Sequence, residues 1–597
     1  MIVNTFEPTS AQQDLIERSG GNLFVTAVPG AGKTKTMAQR FARLTRTTCY
    51  DDRRGVAVLS FTNAAATDIK EKARNVEGDL TPPNFIGTID SFLRRFLVVP
   101  YIKSRYNVVP DIRDEWGEFG ELGKFRIPNG VFRNSIQEAS LAEINFPNRT
   151  VNYDLLQRGR FFQSRISKSI GHETVVKKAN RRRQQLNNEG YFDAYSARAL
   201  ALRILNENLY QLTDILASRF REVILDEVQD CNATDLLLLK KLSKRGVQLT
   251  LIGDLDQDIY GFRGSNAENV RRFCKEQNFE PLTMNDNFRS TPEICKLVSA
   301  LRQDKEIKDD PARASSGVPL KIFSYSKLDN VSELRDALDS SSNTGEQSTI
   351  LASTHAVLAE ASKGKNRKSV KAITKTKRII TGIIMLLDSY SSPSQRKKAV
   401  NHIERGIVEN CRFENGDEIQ NRQMLEDHLT ARGGSLNLVA LDIAFAVKDL
   451  LKAEDPQVVV KNQIIKALGK WGISLKERAR IVPNTNAWDG LFSQTRNSPK
   501  TNTETIHGSK GMQYNRVILV LDKGRASAKH QTHAENLLAP SKDSESHAEA
   551  QRLFYVAASR ARNELVLAVD HRLKENLESF LSYNAIEFEH ITVPIGH

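Results

Sequence analysis

The chain has 597 residues, 40% of them hydrophobic and 26% charged. That is the balance of an ordinary globular protein, too long for one core, so about three or four domains are expected. No stretch is long and apolar enough to span a bilayer, and the N-terminus MIVNTFEPTSAQQ lacks a basic segment followed by an apolar one, so the sequence reads as cytoplasmic with no membrane partner.

The formal net charge of +14 favours a polyanionic partner such as nucleic acid. The sharpest basic clusters are KKANRRR at 177–183 and the stretch 363–378 with its eight Lys and Arg, although either alone reads as a solvated helix face. The 5 cysteines are scattered, without a CxxC pair or a zinc spacing.

Short apolar, β-branched runs recur along the chain, each followed by a helical pattern. They are NLFVT (22–26), VAVLSF (56–61), NFIGT (84–88), REVILD (221–226), QLTLIG (248–253) and PLTM (281–284). A second set follows at LKIFSY (320–325), STILAS (348–353), NRVILVL (515–521) and ELVLAV (564–569). Alternating strands and helices predict an α/β fold with two parallel sheets, each covered by helices on both faces. Each set is interrupted, at about 100–195 and 361–500, by a mostly helical pattern such as SLNLVALDIAFAVKDLLKA (435–453). Each core therefore carries an inserted accessory domain. SSPSQ (391–395) and the polar stretch 526–546 read as loops.

AVPGAGKT at 27–34 lies between a strand and a helix. In this pattern the backbone of Ala27, Val28, Pro29, Gly30, Ala31 and Gly32 cradles phosphates, Lys33 reaches the β and γ groups, and the Thr34 hydroxyl serves Mg²⁺. VILDEVQD at 223–230 supplies the strand-end carboxylates such a site needs, Asp226 toward the metal and Glu227 as general base. Arg289 in NFRST and Arg560 in YVAASRAR open and nearly close the second set of strands, where a guanidinium from a second domain could stabilise γ-phosphate charge.

In order along the chain, AVPGAGKT, VLSFTNAAATDIKEK (58–72), FIGTIDSF (85–92), ILDEVQD (224–230), LIGDLDQDIYGFRGSN (251–266), NFRST (287–291), TIHGSKGMQY (505–514) and EAQRLFYVAASRA (549–561) resemble the motifs of the UvrD/Rep branch of superfamily 1 DNA helicases. The resemblance implies two RecA-like domains, the first at 1–100 and 195–285 and the second at 286–360 and 501–597, with insertions at 101–194 and 361–500. It implies an ATP- and Mg²⁺-dependent motor moving 3′-to-5′ on single-stranded DNA. Gln12 would read the adenine, Phe288 would stack on it where Tyr is usual, and Gln257 would sense the γ-phosphate. Arg289 and Arg560 would be paired arginine fingers. Phe61, Asn63, Thr88, Tyr260, Phe262 and His507 would line the DNA, since aromatics and charge suit single strands. A core role is the plain alternative for Phe61 and Tyr260.

The chain departs from the family pattern at Asp90, where many members have His, at Phe262 for Trp, and at Gln513 for a Glu that meets the ribose. The insertion 361–500 shows none of the usual signature. Within the family, the short accessory regions and NFIGTIDSFLRRFLVVPYIK (84–103) most resemble the helicase-like subunit of the Gabija anti-phage system, which would bring a protein partner such as a nuclease subunit. The rival reading is a DNA-gated ATPase that senses ends or gaps and signals to an effector, because both functions use the same cleft. A small-molecule kinase or GTPase would leave the second sheet unexplained.

Overall fold

The computed structural model describes residues 7–46, 53–128, 136–146, 150–151, 172–259, 267–312, 318–341, 347–362, 378–387, 393–419, 422–452, 456–477, 479–482, 502–524, 531–539 and 544–592. The chain divides into two compact units, one of Met1–Pro110, Tyr195–Asn366 and Thr501–His597, the other of Asp111–Ala194 and Arg367–Lys500.

The first unit holds two six-stranded sheets. In the first sheet, β1 (Leu23–Ala27), β2 (Gly55–Ser60), β3 (Phe85–Thr88), β4 (Phe220–Leu225), β5 (Gln248–Gly253) and β6 (Glu280–Met284) lie in the order β6-β1-β5-β4-β2-β3. All neighbours are parallel. Every residue of β2 is buried, which is why its sequence is an unbroken apolar run and not an alternating one. Helix α1 (Ser10–Glu17) starts with a capping box between Thr9 and Gln12, α2 (Lys33–Arg46) follows β1, and α3 (Asn63–Asn75) follows β2. Met37, Ala38, Phe41 and Leu44 of α2 recur at helical spacing and pack into the core with Val25, Val58 and Ile224. Arg40 of α2 is wholly buried against Glu222 of β4 at 2.7 Å, and its guanidinium also donates to the carbonyls of Leu15 and Arg18.

The second sheet has the order β9-β8-β10-β11-β7-β12, from β7 (Leu320–Tyr325), β8 (Ser348–Ala352), β9 (Asn502–Thr505), β10 (Tyr514–Leu521), β11 (Ala561–Asp570) and β12 (Phe588–His590). It too is parallel throughout. Both edge strands escape the sequence pattern. NTET and FEH are short and mostly polar, so no apolar run marks them. Helix α4 (Pro292–Leu301) packs Ile294, Leu297, Val298 and Leu301 into this second core beside α5 (Ser544–Ala558).

The other unit has two cores of its own. One gathers Trp116, Phe119, Phe125, Leu141, Val175 and Leu186, the other Ile383, Ile407, Leu425, Val439, Ile443 and Ile464. The described residues of the 361–500 insertion are mostly helical, over Arg378–Leu387, Pro393–Asn410, Arg422–Ala431, Leu436–Val447 and Pro456–Gly469, with one antiparallel pair of Cys411–Phe413 and Ile473–Leu475. The described residues of the first insertion are less helical than its pattern suggests. An antiparallel pair, Lys124–Pro128 with Ile136–Ser140, precedes the long helix His172–Asn188. These strands are too short and too charged to stand out from a polar helical reading. Arg405 of one insertion lies 3.8 Å from Glu115 of the other.

SSPSQ and the 526–546 stretch are not loops throughout, since a helix starts at Pro393 and His533–Leu538 forms another behind a Thr532 capping box. Of the basic clusters, 363–377 lies outside the described residues. In 177–183, Lys177 and Lys178 are exposed, but Arg182 donates to the Leu122 carbonyl at 3.1 Å and Arg183 lies over the Phe146 ring at 4.2 Å. Two of the five basic side chains in that cluster are therefore engaged in packing. Among the described residues no helix is long and apolar enough to cross a membrane.

Candidate nucleotide and nucleic-acid site

The chemistry-bearing residues converge at the carboxyl ends of the first sheet's strands, where parallel α/β sheets bind ligands. The turn from β1 to α2 holds Gly30 at φ +83° and Gly32 at φ +77°, left-handed conformations that favour glycine. Lys33 and Thr34 are the first residues of α2, whose leading N–H groups lack helical partners. A run of backbone donors at a helix N-terminus, next to a lysine and a hydroxyl, suits a polyphosphate. Thr34 and Asp226 offer the hard oxygens that Mg²⁺ prefers.

Gln12 lies at this loop, but both ends of its amide are engaged. Its Nε2 donates to the Ala31 carbonyl at 3.0 Å and its Oε1 accepts the Thr9 N–H at 3.0 Å. An amide has two N–H donors and two acceptor lone pairs, so these bonds leave one donor and one lone pair with which to read an adenine. Phe288 donates its N–H to the Gly30 carbonyl at 3.1 Å, and the residue itself is 45% exposed. Gln513 is also exposed.

Asp226 and Glu227 follow β4. Glu227 sits at φ +53°, a strained left-handed position that turns its carboxylate to within 3.9 Å of the Lys33 ammonium. Burial, and then the Glu227 charge, push the Asp226 carboxyl upward. Burial also acts to raise Glu227, yet Lys33, Lys510 and Arg560 outweigh it and hold that carboxylate ionised. An ionised carboxylate at such a loop can accept a proton from water.

The two arginines come together from the second core. Arg289 donates to the Ser559 carbonyl at 2.9 Å, and Arg560 donates to Gln257 Oε1 at 3.3 Å. Burial first, then the Arg560 charge, lower Arg289 from its ordinary value. Burial lowers Arg560 as well. Two guanidiniums crowded in this way would be relieved by an anion. The contact with the phosphate loop is close, since a Cβ on Gly30 would stand 2.5 Å from Asn287 Oδ1 and 2.6 Å from Arg289 Cβ.

Several residues not singled out in the sequence complete the site. Gln229 bridges Glu227 and the Asp254 N–H. Lys510 reaches Asp230 at 2.6 Å and the Gln257 carbonyl at 3.2 Å. Asn287 Oδ1 accepts the N–H groups of Arg289 and Ser290. All lie inside motifs already quoted, but nothing local separates their roles from those of neighbours.

On the expected DNA side, β2 and β3 end in register at Ser60 and Thr88. This sets Phe61, half-buried, and Asn63, exposed, beside Thr88, whose hydroxyl caps the next helix. His507, partly buried in the second core, hydrogen-bonds the Ile259 backbone, and burial lowers its pKa. Tyr260 and Phe262 lie outside the described residues. Asp90, in place of the family's His, pairs with Arg198 at 2.9 Å, which also reaches Asp235 at 2.8 Å.

Comparison with known proteins agrees with this arrangement. The UvrD/REP helicase N-terminal domain matches residues 9–278 and the UvrD-like helicase C-terminal domain matches 489–572. The ATP-dependent DNA helicase UvrD1 of Mycobacterium leprae (strain TN) is 23% identical over 359 residues, 56% of this chain and 45% of that protein. DNA helicase II of Escherichia coli (strain K12) is 24% identical over 329 residues, covering 53% and 44%. The ATP-dependent DNA helicase PcrA of Bacillus subtilis (strain 168) is 24% identical over 328 residues, covering 53% and 42%. The matches thus span less than half the length of each relative. With both helicase domains matched in order over more than half of its length, the chain belongs to the UvrD/Rep-like helicase superfamily.

Proposed function

We propose that the protein is an ATP-dependent DNA translocase that moves 3′-to-5′ along single-stranded DNA. The observation that carries the reading is the bond from Arg560 of the second core to Gln257 of the first. It joins the arginine read as a γ-phosphate finger to a segment whose sequence continues, within six residues, to the aromatics Tyr260 and Phe262. Relatives named as ATP-dependent DNA helicases support it.

In this reading the loop 27–34 and Lys33 bind the triphosphate of ATP, while Phe288 covers the base. Mg²⁺, when bound, neutralises the β- and γ-oxygens, and Thr34 and Asp226 would hold it. Glu227 orients the attacking water and takes its proton. Arg289 and Arg560 stabilise the charge that develops on the transferred group. Gln257 changes partner as that group departs, which alters the grip of the 257–262 segment and of His507 on the strand. Two cores that grip alternately would advance the DNA with each cycle. A role in anti-phage defence with a nuclease-type partner rests on the 84–103 stretch and the short accessory regions alone.

The test is ATP hydrolysis by the full chain with and without single-stranded DNA. Turnover is expected to be low alone and to rise strongly with DNA, and Lys33→Ala is expected to abolish it while DNA binding survives. Equal rates with and without DNA would count against a motor.

A further inference from the structure

Beyond the paired arginines lies a second charged cluster, wholly buried, that the reaction scheme does not use. At its centre is Arg302, one residue past the end of α4, with its side chain fully enclosed. In sequence it is an unremarkable arginine in SALRQDKE. In the fold its Nη2 meets Asp254 Oδ1 at 3.0 Å, its Nη1 meets Asp309 Oδ2 at 3.4 Å and the Tyr555 hydroxyl, and Asp256 Oδ2 lies 3.2 Å from its Nε. The Tyr555 hydroxyl in turn donates to Asp254 Oδ2. Asp254 and Asp256 follow β5 of the first sheet, whereas α4 and Tyr555 belong to the second core.

Two arms run from this cluster to the hydrolytic centre. Along one, Asp254 Oδ2 accepts from Gln257 Nε2 at 3.1 Å, which leaves Gln257 Oε1 to accept from Arg560. Because one end of the amide is fixed by a carboxylate, the other end must present its oxygen. Along the other arm, Asp309 Oδ1 accepts from Asn287 Nδ2 at 3.3 Å, so that Asn287 Oδ1 faces the N–H groups of Arg289 and Ser290. We propose that Arg302 is a positioning residue for ATP hydrolysis, holding the Asp254–Gln257–Arg560 arm and the Asp309–Asn287–Arg289 arm in one geometry. The proposal rests on the ATPase reading and adds to it the residue that orients both arginine fingers together.

Physical chemistry favours this over simple adhesion. Three carboxylates around one guanidinium are an expensive way to glue two cores, because desolvating them can cost more than their attraction returns, and an apolar cluster would hold as well. Burial pushes Asp256 up to about 6 and Asp309 up to about 7, so the cluster strains to keep its charge. What a planar fork bonded on several sides supplies, and a hydrophobic contact does not, is orientation.

The experiment measures kcat and KM for ATP with saturating single-stranded DNA on the full chain, for wild type, Arg302→Lys and Tyr555→Phe, and for each substitution in a Gln257→Ala background. Arg302→Lys keeps the charge but loses the fork, and is expected to lower kcat about tenfold or more while KM stays within threefold. Tyr555→Phe removes one hydroxyl from the Gln257 arm, so it still reports on the proposal if Arg302→Lys fails to fold. It is expected to lower kcat severalfold in the wild-type background and to have under a twofold further effect once Gln257 is alanine, because groups acting in series are not additive. Unchanged kcat in Tyr555→Phe, or the same fold-loss in both backgrounds, would overturn the inference while leaving the ATPase reading intact. A wild type without turnover would remove both.

Discussion

Replacing Gly30 by alanine tests whether the phosphate loop and Arg289 form one site. The left-handed φ of +83° would cost a Cβ-bearing residue about 1–2 kcal/mol. The larger effect is steric. The new Cβ would stand 2.5 Å from Asn287 Oδ1 and 2.6 Å from Arg289 Cβ. Restoring ordinary van der Waals separation requires the loop and the 287–289 segment to part by about 1 Å, and a misplacement of that size at a reacting centre can cost about 100-fold in rate. Gly30→Ala is therefore expected to lower DNA-stimulated kcat by about two orders of magnitude, to weaken ATP binding less, and to leave the fold cooperative. Steady-state hydrolysis with single-stranded DNA, beside a thermal melt, measures both quantities. If kcat stays within threefold of wild type, the loop and the arginine are not coupled in the working enzyme and the reasoning fails.

Arg289→Ala and Arg560→Ala are each expected to reduce kcat by roughly 10³-fold or more with modest change in nucleotide affinity, and activity within a few-fold of wild type would remove that arginine from the site. Arg40→Ala removes the ion-pair partner of the buried Glu222, to which Thr250 still donates at 2.7 Å, so unfolding free energy should fall by about 3–5 kcal/mol; a denaturant midpoint equal to that of wild type would show the pair to be dispensable. The folded-state pKa of Asp309, about 7, lies above its ordinary value of 3.8, so the folded chain binds this proton more tightly than the unfolded one. Its contribution to stability is present at low pH and is lost as pH rises through the folded pKa. Between pH 4.5 and 7.5 wild type should therefore lose stability relative to Asp309→Asn, and parallel melting curves across that range would contradict the assignment.

The phosphate loop was legible in the sequence because its chemistry is local: a buried strand, two glycines that can take positive φ, and a helix start lie within twelve residues of one another. The inner strands were legible for a related reason. Burial on both faces leaves an unbroken apolar run such as VAVLSF, which no solvated segment imitates. The edges of the second sheet were not, since NTET and FEH pair on one side only and need no such run. The short hairpin of the first insertion was hidden in the same way. The arginines could be named from their motifs, but what they touch could not be, because Arg560 and Gln257 meet across 303 residues of sequence and Arg289 and Ser559 across 270. Arg302 carried no signal at all. A lone arginine at a helix end is ordinarily solvated, and only the docking of α4 against Asp254, Asp309 and Tyr555 removes it from water and makes its orientation matter. Sequence determines which groups can do chemistry where neighbours in the chain supply the geometry; long-range packing alone decides which distant groups share a site, because burial and partner choice depend on surfaces that the chain brings together only when folded.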